Sequence, residues 1–145
     1  MSYKEVEQGY FDWLVEFMSD EECWFATLIF KNPNTPTWEM EKKAKEWLSR
    51  LCGALHIKLS EVEVRYVFDA NWAGMHLLIK APGVSGLDRH RWEDKWASMV
   101  EGSAKIKMIG YEDEIENEYY TAVPVANYIV AHHSHEVVTN MQFVA

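Results

Sequence analysis

Few residues in this chain are both chemically capable and set apart from their neighbours. His76 is the first. It sits in Ala73-Gly74-Met75-His76-Leu77-Leu78-Ile79, a run that reads as a β-strand with one polar side chain among hydrophobes. A neutral imidazole in that position can donate to a divalent ion. It can equally be a hydrogen-bonded histidine of a half-buried strand. Tyr128 is the second, in Val125-Ala126-Asn127-Tyr128-Ile129-Val130-Ala131-His132, which reads as a helix. A phenol titrates at about 10 and needs help to act as a nucleophile at neutral pH. Its apolar flanks, Val125 and Ile129, allow a packed aromatic instead. His132, His133, His135 and Glu136 follow. His132 and Glu136 are four apart, on the helix face that carries Tyr128 one turn earlier. They can supply a ligand or a proton, or form a polar helix end where imidazoles suit the negative pole of the dipole.

These residues need a scaffold, and hydrophobic periodicity outlines one. Val6, Tyr10, Trp13, Leu14 and Phe17 recur at helical spacing over the first eighteen or so residues. Trp24 to Lys31 is rich in aromatic and branched residues and predicts a strand. Asn32-Pro33-Asn34-Thr35-Pro36 ends it, with Thr35 placed to cap a helix and Pro36 at its first position. Met40, Ala44, Trp47, Leu48 and Leu51 mark that helix's buried stripe, with Gly53 at its end. Val62, Val64, Tyr66 and Phe68 alternate with more polar positions, Ala70 to Ala73 reads as a hairpin turn, and Gly74 to Lys80 as the returning strand. A third helical stripe runs through Leu87, Trp92, Trp96 and Val100 to about Gly102. Ala104 to Tyr111 predicts a further strand. Pro124 opens a last helix reaching about Glu136, and Val137 to Ala145 is either a short closing strand or a frayed tail.

The fold class that follows is α+β: an antiparallel sheet with a βαββαβ core of the ferredoxin-like kind, and extra helices at the N- and C-terminal ends. One domain is expected over 1–145, with an N-terminal helix in 1–20 and the core in 22–136. Helices pack on one face of such a sheet, leaving the other for a site or a further helix.

Composition narrows the partners. With 14 basic and 23 acidic residues the net charge is −9, which opposes tight general binding to a phosphate backbone. The acid is concentrated in Asp20-Glu21-Glu22 and in the run from Glu112 to Glu118, and the remainder is nearly neutral. The second run reads as a solvated loop that can also attract a basic partner protein. Seven Trp, seven Tyr and six Phe predict a ring-rich core. Trp72 is the exception, because the hairpin tip places it where it can stack on an unpaired base or cover the sheet edge. Cys23 and Cys52 have no CxxC spacing, and no run is apolar and long enough for a membrane helix. The expectation is a cytoplasmic protein with no membrane association.

Several phrases, in this order, resemble the endonuclease domain of plasmid and phage rolling-circle replication initiators, the His-hydrophobic-His superfamily. Trp24-Phe25-Ala26-Thr27-Leu28-Ile29-Phe30 resembles the first motif and Gly74-Met75-His76-Leu77-Leu78 the second. Gly102-Ser103-Ala104-Lys105-Ile106-Lys107 resembles the strand after the Trp-rich helix. Val125 to His132 resembles the third motif, a Tyr followed three residues later by Lys. The similarity spans residues 22 to 136. It implies metal-dependent nicking of single-stranded DNA or an origin hairpin, with Tyr128 forming a phosphotyrosyl bond and Mn²⁺ or Mg²⁺ on the histidine strand polarising the phosphate.

The motifs depart from the family's pattern. With His76 at the first histidine position, Leu78 fills the second; shifted one step, Gly74 replaces the first. Ala131 stands where the lysine is expected. A four-residue turn pairs Asp69 with Gly74, Val67 with His76 and Arg65 with Leu78, all facing one way together with Glu63. Asp69, diagonal to His76, is then the nearer carboxylate ligand and Glu63 the farther one. Arg65, Trp72 and His132 are the candidate DNA contacts. Two classes of function follow: a nickase using Tyr128, His76 and a carboxylate, or a non-catalytic relative that binds DNA or a protein as a regulator or inhibitor.

Overall fold

In the computed structural model, residues 3–19, 23–69, 71–109, 112–113, 118–119, 129 and 139–140 are described. Their order is α1 (Tyr3–Ser19), β1 (Cys23–Ile29), α2 (Thr37–Leu55), β2 (Glu63–Phe68), β3 (Gly74–Lys80), α3 (Arg89–Val100), β4 (Ser103–Ile109), β5 (Glu112–Asp113), β6 (Glu118–Tyr119) and β7 (Thr139–Asn140). The architecture is α+β. Four antiparallel strands lie in the order β4-β1-β3-β2, and β7 adds two residues beside β2. The tail thus contributes the closing strand rather than fraying at those positions.

Strand alternation divides the side chains between two cores. One face carries Trp24, Ala26 and Leu28, Met75, Leu77 and Ile79, and Ile106 and Met108. Against it lie the predicted stripe of α2 and the two tryptophans of α3. Trp47 meets Trp92 and Trp96 edge-on, with ring centroids 6.2 and 6.1 Å apart. Two of the indoles have their N–H satisfied: Trp47 Nε1 donates to the Trp92 carbonyl at 3.1 Å, and Trp96 Nε1 to that of Ile29 at 3.2 Å.

The opposite face carries Phe25, Thr27, Arg65, Val67, His76, Leu78 and Lys80. It is covered too. Leu14, Phe17 and Met18 of α1 pack there with Cys23, Phe25, Val67, Leu78 and Ile109. With both faces covered, every residue of β3 is buried. Lys80 at its end is held by donating Nζ to the Phe17 carbonyl at 2.8 Å, close to the C-terminus of α1 and 4.4 Å from the Phe17 ring.

Helix ends depart from expectation at α2. Thr35 does not cap it; its hydroxyl donates back to the Asn32 carbonyl at 2.7 Å and closes the preceding turn, while Pro36 holds the cap position with no side-chain bond. Gly53 does not end it either. The helix continues through Leu55, and His56 takes the left-handed conformation (φ 56°) instead. Asp88 caps α3, its carboxylate accepting from the amides of His90 and Arg91. Glu101 supplies the left-handed exit from α3. Gly102 is required for contact: a Cβ there would lie 1.8 Å from the Ile29 carbonyl oxygen. The strands run Cys23–Ile29 and Ser103–Ile109, one or two residues off the expected bounds. The predicted helix from Pro124 to Glu136 lies outside the described residues apart from Ile129, which is helical and buried.

Candidate functional site

The β2–β3 hairpin has the register read from its turn. The Asp69 amide donates to the Gly74 carbonyl at 3.0 Å, Val67 pairs with His76 and Arg65 with Leu78. On the other side of β3, Thr27 of β1 pairs with His76. Three neighbouring strands therefore point Asp69, His76 and Thr27 toward one another.

The contacts form a connected chain. His76 Nε2 lies 2.7 Å from Asp69 Oδ2, and Nδ1 lies 3.2 Å from Thr27 Oγ1. In the neutral Nε2–H tautomer, Nε2–H donates to the carboxylate and Nδ1 accepts the threonine proton. The second carboxylate oxygen, Oδ1, accepts from the amides of Asn71 at 2.7 Å and Trp72 at 3.1 Å, which fixes the hairpin tip. The His76 and Asp69 side chains are 2% and 4% exposed. The Phe25 ring, 6.1 Å from the imidazole, lies on the same side.

Glu63 does not join this group. It is exposed at the far end of β2 opposite Lys80, roughly 20 Å along the strand from Asp69. Among the described residues, no group of three or more His, Cys, Asp or Glu is placed to hold a metal ion. The donors that do meet, His76 and Asp69, are turned to each other and to the hairpin amides. By themselves the described donors do not fit a resident Mn²⁺ or Mg²⁺ ion, which takes several oxygen or imidazole donors around an accessible centre.

Arg65 is stacked beneath α1. Its guanidinium carbon lies 4.5 Å from the Trp13 ring centre and 4.4 Å from that of Phe17. Nε is buried and has no hydrogen-bond partner among the described residues. Desolvation lowers the pKa of the group, with the Glu63 charge acting the other way. Trp72 is placed as expected, at the hairpin tip and 67% exposed. Beside it is a depression lined by Ile29, Phe30, Lys31, Pro33, Met40 and Ala73.

Tyr128, His132, His133, His135 and Glu136 lie outside the described residues. Ile129 belongs to the cluster formed by Phe25, Leu78 and α1, on the His76 side of the sheet. The ends of the acidic run are not simple loop: Glu112 pairs with Tyr119 and Asp113 with Glu118 as a small antiparallel ladder.

Sequence reasoning missed Thr27 as the second partner of His76. It also missed the burial of Lys80 and Lys107, both under a tenth exposed, and the exposure of Trp38 at 67%. Thr27 becomes visible only once β1 is known to neighbour β3. Trp38 was legible in principle, since it lies off the Met40-Ala44-Trp47 stripe. No protein-family model, no curated protein and no solved structure matches this chain.

Proposed function

We propose that this protein is a ferredoxin-like relative of the rolling-circle initiator endonucleases that does not cut DNA and works as a binding regulator of a partner protein. The succession βαββαβ and the sheet order β4-β1-β3-β2, with α2 and α3 on one face, support the ferredoxin-like reading. One observation carries the loss of catalysis: the single histidine of the metal motif has both ring nitrogens hydrogen-bonded and is sealed from solvent. A metal-assisted phosphoryl transfer needs the ion open to substrate oxygens. Arg65, stacked under Trp13 and Phe17, is likewise turned to packing.

The partner reading rests on charge and on Trp72. A net charge of −9 opposes nucleic-acid backbones and steers a basic surface toward the molecule. An exposed indole beside a depression of mixed polar and apolar lining is a suitable anchor for such a contact, because tryptophan is enriched at interface hot spots. The described residues hold no helix long and apolar enough to cross a membrane.

Nicking remains the second reading, favoured by Ile129: the residue after Tyr128 is buried on the same side of the sheet as His76. Incubation with single-stranded and hairpin oligonucleotides and Mn²⁺ separates the two. The expected result is no covalent adduct and no Mn²⁺-dependent rise in melting temperature. An adduct that disappears in Tyr128→Phe overturns the non-cutting reading.

A further inference from the structure

We infer that Thr27, His76 and Asp69 form a buried positioning chain that holds the tip of the β2–β3 hairpin so that Trp72 is presented at the surface. The inference rests on the reading of Trp72 as a partner contact. Its physical basis is independent of that reading.

A two- to four-residue hairpin closes with ordinary turn residues and needs no buried ionisable groups. Here the turn is closed by a carboxylate that is 4% exposed, and that carboxylate is held by an imidazole that is 2% exposed. Burying such a pair in place of apolar side chains is neutral or unfavourable for stability, and its best-attested use is to specify one arrangement among several. The connections lead in series from the sheet to the tip. Thr27 on β1 holds Nδ1 of His76 on β3, Nε2 holds Oδ2 of Asp69 at the end of β2, and Oδ1 holds the amides of Asn71 and Trp72. The Phe30 amide, donating to the Ala73 carbonyl at 2.9 Å, ties the other side of the tip to the end of β1. The output is an indole 67% exposed on a short turn whose backbone is fixed from the sheet interior.

Such a chain makes the tip sensitive to an atom two side chains away. Thr27→Val deletes one hydroxyl, keeps the side-chain volume and alters no atom of the hairpin. The test follows Trp72 by fluorine NMR in protein labelled with 5-fluorotryptophan, the resonance assigned through Trp72→Phe. Hydrogen exchange at the Asn71 and Trp72 amides is followed alongside. Thr27→Val is expected to move or broaden the Trp72 resonance and speed exchange at both amides roughly tenfold, as loss of about one net hydrogen bond dictates. Thr27→Ser is expected to restore both readouts. His76→Leu breaks the chain at its centre and carries the same expectation with a larger effect. Val64→Ala, a core change on the other sheet face, serves as the control for general destabilisation.

An unchanged Trp72 resonance and unchanged tip exchange in Thr27→Val and His76→Leu overturn the inference. So does an equal change in Val64→Ala. A Tyr128-dependent DNA adduct ends the non-cutting reading without touching these readouts, and the two failures remain distinguishable.

Discussion

At the scale of single residues, His76 decides most. Its imidazole bridges two strands and satisfies Oδ2 of the Asp69 carboxylate, whose Oδ1 is held by the tip amides. Removing one member of a buried, hydrogen-bonded pair leaves the other uncompensated. His76→Leu is therefore expected to lower unfolding stability by about 3 kcal/mol in urea titration. Adding Asp69→Asn, which keeps an acceptor for the tip amides and removes the charge, is expected to recover part of that loss. Equal stabilities of the single and double variants would argue against a coupled pair. Cys52 offers a second handle. Burial pushes its thiol pKa up, helped by the Glu61 charge and opposed by a backbone hydrogen bond. A folded value above the unfolded one stabilises the native state while the thiol is protonated, and that contribution is lost as pH rises through the folded value. Stability is expected to fall from the ordinary thiol range upward, with a shallower alkaline slope in Cys52→Ala than in the parent. The Asp69–His76 contact was legible in the sequence because a four-residue turn sets its register locally. Thr27 was not, because which strand flanks β3 on its other side is a long-range outcome.

At the scale of elements, the joins are more sensitive than the spans. The α3–β4 junction passes so close to β1 that a single added methyl at Gly102 meets the Ile29 carbonyl. Gly102→Ala forces two backbones apart and is expected to cost about 3 kcal/mol or more, seen as a lowered melting temperature. Trp96 makes the same junction from the helix side through its bond to Ile29. The apolar stripes of α2 and α3 were readable because amphipathic periodicity states which face is buried. The end of α2 was not readable. Glycine is the usual helix terminator, yet here His56 adopts the left-handed turn and its amide reaches the Gly53 carbonyl. A local preference of less than 1 kcal/mol is easily overridden by where the following chain must go.

For the whole molecule, charge sets the terms of encounter. With an excess of nine acidic groups, association with the proposed basic partner is expected to slow as salt rises. Weak or no retention of single-stranded oligonucleotides is expected at about 150 mM salt in a gel-shift assay, and tight salt-resistant retention would contradict the charge argument. The sequence could state the sign of that field and the α+β alternation of elements. It could not show that α1 would settle over the face carrying His76, which turns an open sheet into one closed on both sides. The three indoles of α2 and α3 have a further consequence. Trp47, Trp92 and Trp96 stand edge to face within van der Waals reach, so their excited states couple only while the two helices remain docked. The near-ultraviolet dichroism of this cluster is thus a built-in optical gauge of the helical layer.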